Sequence, residues 1–421
     1  MYGVKRWLEG ASANMSMLVW LDYSEHERRK MLDVIDLFRE GETVDELGLG
    51  AIRDAFADML FPGTSTIMTR ARYFLLVPWT YARLERKRTS SNDIEHKAQE
   101  AEAKLIYAIE ASEDSDGNIG KRAGAKLKRF ASSVYWQGLS VWGIRTFPGS
   151  QAQYHRSLDR HYEAIRGQSG RQNERDVEHD DVVLPNWHGG LIEPPDDFPG
   201  GCSLRLRRED AAYLRDRILL SPGCAGSLLV ELVRHGKRED ETSFIWEHPL
   251  CRTLREPLAS RIEHGRNFSE VMHGAALLYN LMLAEQQQRE DRVSEYRRRV
   301  GEWIELVGAR RAGLNRWRRE AFWECVSAKN PRISGHTRAF VETWWDLALT
   351  ERLETIVNSG SARALVTQRE RHLKKELARI DNARALELWN GASGSSQLDY
   401  RWGITQRLLG DIFEGLEARD A

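Results

Sequence analysis

Apolar residues recur at helical spacing along most of the chain, and strand-like alternation is confined to short runs. The strongest stretch is Phe268–Arg299, where Val271, Ala275, Leu278, Leu281, Met282 and Leu283 build one apolar stripe. The same spacing predicts helices at about Ala51–Leu60, Trp79–Arg88, Asp93–Glu110, the later part of Lys121–Trp142, Arg208–Leu220 and Gly226–Arg234. Further helices are expected at about Val300–Gly308, Leu314–Ala328, Arg338–Ser359 and Ser361–Leu388. Ser24-Glu25-His26-Glu27 reads as a capping box opening a helix through Phe38. The strand-like runs are Leu18–Leu21, Phe74–Val77, Val182–Leu184 and Ser203–Leu206. The expected fold is mainly α, with few short strands.

Punctuation suggests how the chain divides. Gly167–Asn173 is polar, and Pro185, Pro194, Pro195 and Pro199 break up the stretch C-terminal to it. The expected organisation is an N-terminal extension at 1–17, a unit at 18–165, a linker at 166–200 and a helical unit at 201–421. At 421 residues the chain is too long for one ordinary core, which agrees with that division.

Composition narrows the function classes. Hydrophobic residues at 41% and charged residues at 30% describe a globular protein with apolar mass enough for real cores. A net charge of -1 excludes a uniformly basic surface, so any nucleic-acid footprint must be a local patch. Arginine outnumbers lysine 50 to 12. A GC-rich genome gives that bias, and so does selection for bidentate phosphate contacts and base stacking. Cys202, Cys224, Cys251 and Cys325 are far apart, which fits reduced thiols rather than a zinc or disulfide framework. No apolar run approaches a membrane span, and Met1–Ser16 has no signal-peptide core. The expected compartment is the cytoplasm.

Phe61–Trp79 is the densest segment. Pro62-Gly63 marks a turn, and Thr64, Ser65 or Thr66 can cap a following helix. Arg70 is then expected about one turn into that helix, where it could grip an anion drawn to the helix N-terminus. The competing expectation pairs Arg70 or Arg72 with a buried carboxylate such as Asp22, Asp54 or Asp58.

Three basic-aromatic clusters share this logic. Arg70, Arg72, Tyr73 and Trp79 form the first; Lys121, Arg122, Lys126, Lys128, Arg129, Tyr135 and Trp136 the second; Tyr154, His155, Arg156 and Arg160 the third. Lysine and arginine neutralise phosphates, while tyrosine and tryptophan stack on exposed bases. The candidate nucleic-acid contacts are therefore Arg70, Arg72, Tyr73, Lys126, Lys128, Arg129, Tyr135, Trp136, Tyr154 and Arg156. The bland alternative is an arginine-rich solvated face over an aromatic core.

Catalytic signatures are not found. Gly117-Asn118-Ile119-Gly120-Lys121 is too short for a phosphate-binding loop, and Arg122 stands where a hydroxyl belongs. His235-x-Lys237 lacks the aspartate that phosphodiesterase chemistry would place at position 242, where Thr242 stands. His179, Asp180, Asp181 and His188 suit a divalent metal by ligand type. They leave a divergent metal-dependent nuclease or phosphodiesterase as the second reading. No bound cofactor is expected.

Trp20-Leu21-Asp22-Tyr23-Ser24, Phe61–Trp79, Gly274–Leu283 and Leu398-Asp399-Tyr400-Arg401-Trp402 together resemble a bacterial family of unknown function. The resemblance spans nearly the whole chain and carries no assigned residue roles. Families of this kind sit beside helicases and nucleases in antiphage-defence gene clusters, which implies an accessory subunit. The preferred expectation is a non-catalytic, DNA-engaging or scaffold subunit that binds DNA weakly and without sequence specificity. A helicase or nuclease subunit is the expected protein partner, and no membrane is involved.

Overall fold

A computed structural model describes residues 45–121, 127, 129–171, 184–349 and 352–418. The Leu18–Leu21 run, Trp20–Ser24, the capping box at Ser24, Arg122, Lys126, Lys128 and His179-Asp180-Asp181 lie outside the described residues.

The described chain is mainly α. Its helices are α1 Gly50–Leu60, α2 Tyr73–Arg86, α3 Ile94–Glu110, α4 Ala131–Val141, α5 Gln151–Arg171, α6 Arg208–Leu220 and α7 Leu228–His235. They continue with α8 Leu258–Gln286, α9 Glu290–Leu314, α10 Arg319–Lys329, α11 Gly335–Ala348, α12 Gly360–Lys374, α13 Ala383–Glu387 and α14 Trp402–Glu417. Among the described residues the only strand-type pairing is one isolated antiparallel bridge between Arg145 and Trp187. No helix of the described chain is long and apolar enough to cross a membrane.

Local chemistry accounts for many of the boundaries. Ser227, Ser334 and Ser359 each accept from an amide in the first turn of α7, α11 and α12. Gly236, at φ +63°, ends α7 in the left-handed conformation. The long stripe predicted through Arg299 is two helices, because Gln288 takes φ +57° between α8 and α9. Phe74–Val77, which read as strand, lies inside α2. That helix is buried on all sides from Tyr73 to Tyr81, so its apolar run carries no period to distinguish it from a core strand.

Two compact units are present, and neither is one continuous stretch. The first gathers Glu270–Asn315 and Ser334–Gln397 with the described residues up to Gly50. The second gathers Ala51–Ser269, Arg316–Ile333 and the described residues from Leu398. This differs from successive blocks divided at 166–200. Proline and glycine there mark irregular backbone, but the described part packs onto α2. Trp79 Nε1 donates to Ile192 O, Arg83 to Phe198 O, and Arg86 pairs with Glu193.

In the first unit the second half of α8 buries Leu277, Leu278, Tyr279 and Leu281, and Tyr279 Oη donates to Glu370 of α12 at 2.6 Å. Trp303 Nε1 donates to Glu270 O and Trp344 Nε1 to Val271 O, which satisfies both indoles inside the core. In the second unit α2 packs against α3 and α4, and Phe74 stacks on Trp142 at 3.7 Å between ring centroids. The C-terminal helix α14 packs along α6 in the same unit.

Candidate nucleic-acid interface

The segment Phe61–Arg72 is held from outside rather than by a helix of its own. The turn closes when Thr64 Oγ1 donates to Phe61 O at 2.7 Å. Ser65 to Arg72 then stays irregular and α2 begins only at Tyr73, so Arg70 precedes the helix instead of standing one turn inside it. Long-range side chains take the amides that a helix would have used. Thr69 N and Arg70 N donate to Tyr135 Oη at 2.9 and 3.1 Å, and Tyr135 Oη donates back to Arg70 O at 2.9 Å. Ala71 N donates to Asp411 Oδ2 at 2.7 Å.

Arg70 and Arg72 face carboxylates of the protein. Arg70 Nε meets Asp411 at 2.9 Å, its two terminal nitrogens meet Asp114 at 2.8 and 2.9 Å, and Nη1 also donates to Asp116 O at 2.9 Å. Neither Asp54 nor Asp58 is the partner. Those two bind Arg401, at 3.4 and 2.7 Å, and Asp22 lies outside the described residues. One guanidinium is shared by two carboxylates, so burial outweighs it and pushes the Asp411 carboxyl up to about 6. Arg72 is buried, with Nη1 donating to Arg205 O at 2.6 Å and Nη2 lying 3.5 Å from the fully buried Asp210. Both arginines tie the unit together.

The expected stacking rings are core residues. Tyr73, Tyr135 and Tyr154 are 0–2% exposed and Trp136 is 7% exposed. Tyr73 Oη accepts from Ile119 N at 2.9 Å and bonds Asn118 at 3.2 Å. Trp136 Nε1 donates to Gly149 O while the Arg145 guanidinium lies over its ring at 4.7 Å. Tyr154 Oη donates to Glu85, which also accepts from Asn186 and Trp187. Rings satisfied in this way cannot accept a base without opening the core.

What remains exposed lies elsewhere on the second unit. Tyr107 on α3 is 59% exposed, with Lys104 one turn before it on the same face. Glu110, one turn after it, pairs with Lys121 at 3.0 Å. The segment bearing Lys121 is fastened to α3 by Asn118 Nδ2, which donates to Ile106 O at 3.0 Å. Lys121 is therefore held at the turn of α3 that follows Tyr107. Arg129 is partly buried, and burial lowers its pKa. Arg156 is exposed on α5 with Arg160, and Ser91 ties that face to the α2–α3 connection through Arg156 O and Asp159. Tyr107 is not among the residues that the sequence patterning singles out. The available signal was its place off the buried stripe of Ile94, Ala98, Glu102, Leu105, Ile106 and Ile109.

The metal alternative leaves one residue in view. His188 Nδ1 accepts from Gly190 N at 3.2 Å and lies 3.3 Å from Tyr213 Oη, and burial lowers its pKa. Among the described residues no group of three or more His, Cys, Asp or Glu side chains is placed to hold a metal ion. The four cysteines are free thiols, and burial raises all four pKa values, which opposes nucleophilic chemistry. A cavity of about 540 Å³ lies along α14, lined by charges of both signs, several already paired: Arg238 with Glu414 at 2.5 Å and His235 with Glu239 at 3.0 Å.

No curated protein and no solved structure matches this chain. One sequence family does, and its model covers residues 15–415, which takes in the Phe61–Trp79, Gly274–Leu283 and Leu398–Trp402 motifs. The chain belongs to that family, the family of unknown function DUF6361.

Proposed function

We propose that the chain is a non-catalytic subunit that engages DNA weakly through its second unit and relies on a protein partner for useful affinity. The observation that carries this reading is Tyr107: an aromatic side chain 59% exposed, with Lys104 one turn before it and Lys121 paired to Glu110 one turn after it. Solvated aromatic rings beside lysines suit sequence-tolerant stacking on unpaired bases, with the cations tracking the phosphates. Lys126, Lys128 and Arg129 follow Lys121 in the sequence, and Arg156 and Arg160 are further exposed cations of the unit. Arg70, Arg72, Tyr73, Tyr135, Trp136 and Tyr154 have no part in contact on this reading; they hold the surface in shape.

So small a patch binds weakly on its own. Linking it to a helicase or nuclease subunit with its own DNA contact would raise affinity through effective concentration. That partner class comes from the family resemblance, which points to antiphage-defence or DNA-processing systems.

Fluorescence anisotropy with short single strands and duplexes at two salt concentrations tests the proposal. Three cationic contacts predict a log–log salt slope of roughly −2 on single strands. The Lys104→Glu/Lys121→Glu variant should flatten that slope. Absence of binding at low salt, for the chain alone and with a partner enzyme, would overturn DNA engagement.

A further inference from the structure

In the first unit, α11 and α12 pack together and border a cavity of about 310 Å³. Its lining includes His336 on the first turn of α11, His372 on the last turn of α12, Arg369, Gln368 and Phe340. Among the described residues no carboxylate lines it. The two imidazole rings lie 4.4 Å apart between centroids with a 38° tilt, and both residues are exposed. Two imidazoles so close can direct N–H donors at one anionic group, or ring nitrogens at one metal ion.

Arg369 decides between them. It is only 5% exposed, with its guanidinium 5.2 Å from the centre of the Phe340 ring. Nε donates to Leu47 O at 2.9 Å, and Nη2 donates to Gly48 O at 3.1 Å and Thr337 Oγ1 at 2.9 Å. Every one of these acceptors is neutral, and Nη1 has no acceptor among the described residues. Asp45 favours the charged form from a distance, but its own oxygens are taken by the amides of Leu49 and Gly50 at 2.6 Å each. A buried cation without a carboxylate partner is costly, and an anion in the adjoining space would relieve that cost. A divalent cation held by the same histidines would sit in the repulsive field of the guanidinium.

We propose that this cavity is an anion site for a phosphoryl group. Arg369 supplies the fixed positive charge, and His336 and His372 supply directional N–H donors from two helices. Either protonation state of an imidazole keeps at least one N–H, so donation does not depend on the charged form. The Gln368 amide, exposed on the same helix as Arg369, adds a neutral donor at the rim. The site lies in a different unit from Tyr107 and does not rest on the DNA reading.

Isothermal titration calorimetry of the full chain with inorganic phosphate, and separately with adenosine monophosphate, tests the site. One saturable, mutually competitive site is expected, weakened roughly tenfold or more in the His336→Ala/His372→Ala variant. Equal affinities would assign recognition to the phosphoryl group alone, and tighter nucleotide binding would add the rest of the cavity to it. The Lys104→Glu/Lys121→Glu variant should bind phosphate as the parent does. Both histidines are exposed, so their loss should leave the unfolding midpoint in place, which separates a lost site from a lost fold. No saturable binding of either probe, or binding unchanged in the histidine variant, overturns the proposal. Zinc binding that needs both histidines, without phosphate binding, would replace it with a metal site.

Discussion

Arg70 Nε and Asp411 Oδ1 meet at 2.9 Å across 341 positions of sequence, and the same carboxylate takes the amide of Ala71. The contact joins the irregular segment before α2 to the middle of α14. Arg70→Ala would leave Asp411 and Asp114 facing each other without their shared cation, and should cost roughly 3–5 kcal/mol. Asp411→Asn keeps an oxygen for Ala71 and should cost less. A double-mutant cycle in urea unfolding measures the coupling; additive losses would show that the pair contributes little of its own.

Glu102 makes stability depend on pH. Its Oε2 accepts from Ser132 N at 2.9 Å, so a carboxyl of α3 caps α4, whose own Phe130 offers no side-chain cap. Burial pushes that carboxyl from 4.5 up to about 7. The folded state therefore binds the proton more tightly than the unfolded state. The resulting stability is complete below about pH 4.5 and is lost as pH rises through about 7, a change of roughly 3 kcal/mol. Glu102→Gln keeps the acceptor and removes the titration. Its unfolding midpoint should lose less between pH 5 and pH 8 than the parent's, and equal losses would assign the dependence to other groups.

Gly274 opens the Gly274–Leu283 motif and lies against the Trp303 ring, where an added Cβ would overlap the indole. Gly274→Ala gains helix propensity yet should lose roughly 1–3 kcal/mol through overpacking. The change should also alter the near-ultraviolet circular dichroism, because the indole that bonds Glu270 O must move. Unchanged stability would mean that α9 yields at no cost.

Two tyrosines should behave in opposite ways. Tyr107→Ala should leave the unfolding midpoint within error and weaken single-strand binding about fivefold or more. Tyr135→Phe should cost roughly 1–3 kcal/mol, since Thr69 N, Arg70 N and Arg70 O all lose their partner. A binding defect in Tyr135→Phe at preserved stability would return the buried rings to the interface.

Helix content was legible because period and caps are local. Ile94–Glu110 and Arg208–Leu220 fall within a residue of their expected limits. The start of α2 was not, because the amides of Thr69 to Ala71 are claimed by Tyr135 and Asp411, which no window of neighbouring residues contains. Proline and glycine within 166–200 report irregular backbone, not where packing stops. At the candidate interface the residue types singled out in the sequence are largely rings of the core. Tyr135, Trp136 and Tyr154 belong to a buried aromatic core, whereas Tyr107 sits in a polar context that attracts no notice.

The packing of α14 on α6 has a consequence for biosynthesis. Arg70 and Asp114 leave the ribosome some three hundred residues before Asp411, so a growing chain cannot complete this unit until its C-terminal helix has emerged. Until then the surface of α6 that faces α14 has no cover, in the period when nascent chains are most open to chaperones and proteases. Products of premature termination before Trp402 should therefore leave that surface of α6 exposed.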